Sequence, residues 1–158
     1  MAVSLETFKK NYLVVGLADE DIKKVAALAD VVQFRNRQEI ITLGARDSDI
    51  FIVISGTVKV YRTGGALLGT CTAGAVLGEV ALLDNQARSA TVMADGDVTC
   101  AQIDGQMLRR FISQNQGIGF VIVTNIARIL AKRLRDAAVS IEDLRGQVSD
   151  LWLYKEKP

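Results

Sequence analysis

Glu79 and Arg88 frame the stretch of this sequence that is richest in usable chemistry, Leu77 to Thr91. A Gly78-Glu79 pair opens it, a short apolar turn of Val80, Ala81 and Leu82 follows, and Arg88-Ser89-Ala90 closes it. A singly charged phosphate held away from bulk water needs a bidentate guanidinium and several backbone N–H donors. Arg88 offers the fork. The turn from Gly78 to Leu82 offers the N–H groups, with Gly78 permitting close approach and Ala81 keeping the mouth open. A sugar hydroxyl needs a carboxylate acceptor, the part Glu79 fits, and Ser89 adds a hydroxyl donor. Taken alone, Glu79 and Arg88 could equally be a surface salt bridge beside a tight turn. What surrounds them decides which.

The rest of the composition removes many alternatives. The 158 residues suit one domain with a sizeable core and one appended element. With 49% hydrophobic and 23% charged residues the chain is globular. A net charge of +1 exerts no general pull on nucleic acid, so any anion site must be local. There is no histidine. That removes Ser-His and Cys-His catalysis, His-ligated haem and the common zinc sites within the chain. Cys71 and Cys100 make no disulfide framework and cannot alone hold an iron–sulfur cluster, and no nucleophile has an evident base. We therefore expect no catalytic residues, no metal and no cofactor. Glu6, Lys9, Lys10 and Asn11 break any secretory leader, and Asn125 and Arg128 break the apolar tract from Ile118 to Ala131. A cytoplasmic protein without a membrane span is the expectation.

The elements that must position the stretch follow from periodicity. Residues 4–30 are expected to be helical, with Ser4 capping a first turn. Asp19-Glu20-Asp21 should start a second helix, and Leu13 to Leu17 should form a buried turn between the two. From Val31 the period shortens, and β-branched segments appear at 31–34, 39–43, 50–54, 57–61, 67–72, 90–94 and 98–103. Turn signals separate them, among them Ser55-Gly56 and Asp95-Gly96-Asp97. Many short strands without intervening helices predict, in an α+β chain, a compact antiparallel barrel or roll over 31–103. A helix over 104–114 should follow, capped by Asp104 with Met107, Leu108 and Phe111 facing inward. After a break at Asn115 to Gly119, a long C-terminal helix is expected over 118–155. In it Leu130, Leu134, Ala137, Ile141, Leu144, Val148 and Leu151 recur at steps of four and three, the pattern of a coiled-coil seam. The alternative is a lone helix packed on its own roll. Past Arg135 the seam outruns what one small roll could cover, which favours a homodimer. Ser140, Arg145 and Gln147 at flanking positions carry too little charge pairing to fix its direction.

Here the chain from about Leu13 to Arg135 resembles the cyclic nucleotide-binding domain family, in the form found in catabolite-activator-type bacterial regulators. The likeness rests on Gly44, Ile50 to Gly56, Gly74 to Leu82, and Arg88-Ser89-Ala90-Thr91 in order. It implies a β-roll of about eight strands flanked by helices, with residues 1–135 as the nucleotide-binding domain. It also implies cAMP or cGMP as ligand, with Glu79 on the ribose 2′-hydroxyl, Arg88 on the cyclic phosphate, and Gly78, Val80, Ala81, Leu82, Ser89 and Ala90 in the same cassette. The sequence departs from the family in two places. Asn36-Arg37-Gln38 stands where a glycine is usual, and Asn36 is expected to take the left-handed geometry there. On the C-terminal helix, Arg133-Leu134 is followed by Arg135 and Asp136, with no hydroxyl until Ser140. Arg135 and Asp136 are thus the candidates for a base contact, and the choice between cAMP and cGMP stays open.

No winged helix-turn-helix follows the long helix in this sequence, and the tail is not a basic arm, so contact with DNA is not expected. Trp152 and Tyr154 either finish the seam or form an adhesive patch. The leading expectation is a stand-alone dimeric cyclic-nucleotide sensor that signals to a protein partner. The alternatives are a docking module that has lost its ligand, a cyclic di-GMP sensor, and a shortened transcription regulator.

Overall fold

From Ala29 onward, β-branched runs separated by glycine-bearing turns give strands that pair antiparallel throughout. The computed structural model describes the backbone of residues 5–155 and the side chains of residues 5–145. Six strands make one sheet: β1 (Ala29–Phe34), β2 (Glu39–Ile41), β3 (Ile50–Tyr61), β4 (Leu67–Cys71), β5 (Val76–Leu77) and β6 (Thr91–Ile103). β6 pairs with β1, β2 and β3, while β3 also holds β4 and β5. The helices are α1 (Leu5–Phe8), α2 (Asp19–Ala26), α3 (Glu79–Asp84), α4 (Gly105–Gln114) and α5 (Gln116–Lys155). The result is an α+β chain built on an antiparallel β-roll.

The strand count is lower than the resemblance implies because two expected turns are bulges. Ser55-Gly56 lies inside β3, where the register with β6 shifts on both sides of Ser55. Asp95-Gly96-Asp97 lies inside β6. At a bulge one strand carries an extra residue, bends and twists without leaving its partner. Gly56, at φ +93, lies so close to β6 that an added Cβ would stand 2.5 Å from the Asp97 carbonyl oxygen. The bent strands wrap a core that includes Ile40, Phe51, Val58, Val92, Val98 and Cys100. Phe34 and Phe51 meet edge to face there, at 6.1 Å between centroids.

Several local expectations are corrected. Within residues 4–30 the two expected helices and the turn between them are present, the turn as a 3-10 helix at Tyr12–Val14, but the helical segment ends at Ala26 and β1 is already under way at Ala29. Leu13 and Val14 are buried, but Val15 is 58% exposed because the turn ends there and points it outward. The left-handed residue after β1 is Arg37, at φ +67, and not Asn36. The Asn36 Oδ1 instead accepts from the Gly96 N–H at 2.9 Å, tying this turn to the β6 bulge. In α4, Asp104 does cap, accepting from the Met107 N–H at 2.7 Å. Leu108 is fully buried and Phe111 half-buried, whereas Met107 is 46% exposed. One residue earlier on a helix is a turn of about 100° away from the buried face. The break before the last helix is Asn115 alone, so α5 begins at Gln116. The cap expected at Ser4 lies outside the described residues.

The chain divides into two compact units, residues 1–125 and 126–158. In the first, Asn125 is buried and its Nδ2 donates to the carbonyls of Leu13 (3.0 Å) and Val15 (2.8 Å). The residue that interrupts the apolar tract therefore anchors the 3-10 turn. In the second unit the seam residues Leu134, Ile141 and Leu144 are 72%, 53% and 60% exposed. Counting back along α5 by the same steps reaches Ala127, Val123 and Phe120, and Phe120 is 75% exposed. Val148, Leu151, Trp152, Tyr154 and Gln147 lie outside the residues with described side chains. Among the described residues, no helix is long and apolar enough to cross a membrane.

Candidate functional site

The cassette is built where β5 stops. Gly78 follows it at φ +88 and ψ 6, a conformation that L-residues other than glycine adopt only at a cost, and the chain then turns at once into α3. Glu79, the first residue of that helix, is 2% exposed, at the helix end where a negative charge is favoured. Ala81 and Leu82 are buried, Val80 half-buried. α3 ends at Asn85, itself left-handed at φ +55. Beyond it, Ser89 is exposed and Ala90 half-buried as β6 begins.

Arg88 returns to the start of the helix. Its side chain is 2% exposed, so it is no surface salt bridge. Nη1 donates to the Gly78 carbonyl at 3.2 Å and Nη2 to the Asp49 carbonyl at 2.8 Å. Nε donates to Asp47 Oδ1 at 3.0 Å, and Nη2 reaches the same oxygen in a very short contact. The main chain is tied as well: Gly44 N–H donates to the Arg88 carbonyl and Arg88 N–H to the Ala45 carbonyl, both at 2.9 Å. A guanidinium this buried requires a carboxylate and satisfied donors, since an unpaired buried charge costs several kcal/mol, on the order of 3–5.

Three partners escaped the sequence reading. Asp47 and Asp49 sit in the loop between β2 and β3. Asp49 turns its carboxylate away from Arg88, accepting from Gln102 Nε2 at 2.6 Å and the Gly105 N–H at 3.3 Å. The third is Arg109 on α4. Its Nη2 donates to the Ala81 carbonyl at 2.9 Å, Nε to the Leu82 carbonyl at 3.0 Å, and Nη1 to Ser48 Oγ at 3.2 Å. A cation at the C-terminal carbonyls of a helix is favourable, and α3 is held there by α4. The signal that could have found Asp47 is physical: a buried arginine predicts an acid in a nearby loop. Arg109 carried no comparable signal, because Arg109-Arg110 looks like any solvated helix face.

The structure thus brings the Arg88 side chain onto the Gly78 carbonyl, next in the chain to Glu79, although Arg88 itself lies beyond the far end of α3. Arg135 and Asp136 fall in the second unit, where the Asp136 carboxylate accepts from Lys132 Nζ at 3.1 Å and its carbonyl from Ser140 Oγ at 3.0 Å. Burial pushes the Cys100 thiol up to about 12, so it is protonated and unreactive at neutral pH. No group of His, Cys, Asp or Glu able to hold a metal occurs among the described residues.

Residues 31–115 match the family profile described as "Cyclic nucleotide-binding domain". Among curated relatives, "Glutaminase 1" of Bradyrhizobium diazoefficiens is 33% identical over 132 residues, covering 84% of this chain and 21% of that protein. The "cAMP-dependent protein kinase regulatory subunit" of Debaryomyces hansenii is 33% identical over 109 residues, 68% of this chain and 24% of that one. The crystal structure of the Thermus thermophilus catabolite activator protein superposes with a TM-score of 0.75 at 26% identity, covering 85% of this chain and 63% of that one. The chain spans about a fifth to a quarter of the curated relatives' length (21% and 24%). What is shared is one domain: this chain belongs to the cyclic nucleotide-binding domain family.

Proposed function

We propose that the domain is a cyclic-nucleotide sensor in which Arg88 takes the cyclic phosphate and Glu79 the ribose 2′-hydroxyl. The observation that carries this is the buried fork of Arg88 held against Gly78, with the buried Glu79 beside it at the start of α3. Gly78, Val80, Ala81, Leu82, Ser89 and Ala90 shape the rest of the cassette. cAMP is the favoured ligand and cGMP the alternative, with Arg135 and Asp136 as the candidate base contacts. The chain acts as a homodimer through the α5 stripe and passes its signal to a protein partner in the cytoplasm. It catalyses nothing itself and needs no cofactor. The curated kinase subunit is named for cAMP dependence, which supports a cyclic-nucleotide ligand here.

Isothermal titration with cAMP and with cGMP tests the reading. Binding of one of them is expected, and Arg88→Lys should weaken it by about 10–100-fold, the worth of a lost charge-assisted bond of about 1.5–3 kcal/mol. Heat from neither nucleotide up to the millimolar range, or an affinity untouched by Arg88→Lys, overturns it. One observation favours a second reading, a docking module without ligand: Asp47 already engages the Nε and Nη2 edge of Arg88.

A further inference from the structure

We propose that Asp47 is a tethered stand-in for the ligand's phosphate, a carboxylate that occupies the binding edge of Arg88 and must leave before a cyclic nucleotide can bind. This rests on the sensor reading above and concerns how that same site is controlled. Nε and Nη2 are the two parallel donors that an oxyanion takes bidentately, and both point at Asp47 Oδ1. A carboxylate and a cyclic phosphate carry the same charge, and each can offer an accepting oxygen to this edge, as Asp47 does with Oδ1. They therefore compete for one edge.

The surroundings separate the displaceable contact from the fixed ones. Asp47 is 50% exposed, whereas the arginine side chain it covers is 2% exposed. The acid lies on the solvent side of the pair. Its carboxylate can move into water, where hydration compensates for the lost bonds. The loop that carries it is pinned a step earlier, by the paired backbone bonds between Arg88 and Gly44 and Ala45. Asp49, two positions on, is fixed differently. Its carboxylate belongs to Gln102 and Gly105, and only its carbonyl touches Arg88. The carbonyls of Asp49 and Gly78 therefore keep the guanidinium oriented when Asp47 leaves.

A tethered competitor sets a threshold: the ligand binds only at concentrations that outcompete the loop acid. Removing the charge has two opposite consequences. Nucleotide binding tightens, because nothing has to be displaced, and the unliganded fold weakens, because a buried guanidinium loses its counter-ion.

Asp47→Asn, titrated with cAMP and then cGMP beside the wild type and Arg88→Lys, reads both. The expected result is a Kd about tenfold or more lower for Asp47→Asn, with a lower urea midpoint for the unliganded protein. If Asp47→Asn does not fold, Asp47→Ser is read in the same way. Wild-type binding that depends on Arg88 but is unchanged or weakened in Asp47→Asn overturns it and leaves the sensor reading standing. Failure of both Asp47 variants to fold overturns it too, since the pair is then one the folded chain cannot release. Silence of the wild type and of both Asp47 variants overturns the sensor reading, and the proposal with it.

Discussion

Gly78→Ala tests the cassette geometry without touching a charged group. Two separate penalties meet at this position. At φ +88 an alanine sits in left-handed backbone, which costs about 1–2 kcal/mol. Its Cβ would also stand 2.6 Å from the Asp49 carbonyl oxygen and collide with Arg88 Nη1. A free arginine would swing aside, but this one is held by Asp47 and by Asp49, and the second obstacle is backbone. Overpacking of that kind costs about 1–3 kcal/mol. The two together predict about 2–5 kcal/mol, a large share of the total stability of a small domain.

Two other glycines isolate the two components. Gly96, at φ +85, has nothing within 4 Å of a would-be Cβ, so Gly96→Ala carries the conformational cost only. Gly105 has no positive φ, but its Cβ would run into the Ser48 carbonyl and hydroxyl oxygens, so Gly105→Ala carries the steric cost only. Urea denaturation of the three variants, with m-values compared to confirm that the denatured states match, measures each cost. The sum of the Gly96 and Gly105 costs should approximate the Gly78 cost. If Gly78→Ala costs no more than Gly96→Ala, the close approach of Arg88 to this turn is not a constraint, and the argument for a preformed fork fails.

The remaining predictions concern the contacts around that turn and the exposed stripe. Arg109→Met leaves the Ala81 and Leu82 carbonyls without their donor, and should lower stability by about 1–3 kcal/mol and weaken cAMP binding by loosening the cassette helix; denaturation and titration on the same sample check both. Leu134→Asp combined with Ile141→Asp places charge on the exposed stripe of α5. Sedimentation velocity should show a dimer for the wild type and a monomer for the double variant, with unchanged circular dichroism. A wild-type monomer at tens of micromolar would remove the seam argument.

How much of this was legible depended on whether a residue's neighbours are local in sequence. Gly78, Glu79 and Arg88 lie within one short stretch of sequence, so spacing alone singles them out as candidates. The Asp104 cap and the start of α2 at Asp19 are also local, and were read correctly. Asp47 and Arg109 reach the cassette only through the fold, 41 positions from Arg88 in the first case and 28 from Ala81 in the second. No short-range pattern marks them. The bulges at Ser55 and around Gly96 failed for a different reason. Glycine beside a small polar residue signals a bend, and a bend within a paired strand uses the same residues as a turn between strands. Asn36 failed on competition: its side chain found an acceptor's role toward Gly96, and the left-handed backbone passed to Arg37.

The same contacts indicate how occupancy of the fork would be felt elsewhere in the first unit. α3 is short, and it is gripped at both ends: Arg88 holds the Gly78 carbonyl before its first turn, and Arg109 holds the Ala81 and Leu82 carbonyls in its last. Arg109 belongs to α4, and α4 passes to α5 through Asn115 alone, whose N–H and Nδ2 both donate to the Phe111 carbonyl at 2.9 Å. On the sensor reading, a ligand that replaced Asp47 would reach α3 through the Gly78 carbonyl that Arg88 holds, and α4 through the Arg109 bonds to the end of α3. Rigid links of this sort transmit only if some element has two arrangements. On the proposal made above, the fork would provide them, its Nε and Nη2 edge closed by the loop acid in one and by the ligand in the other.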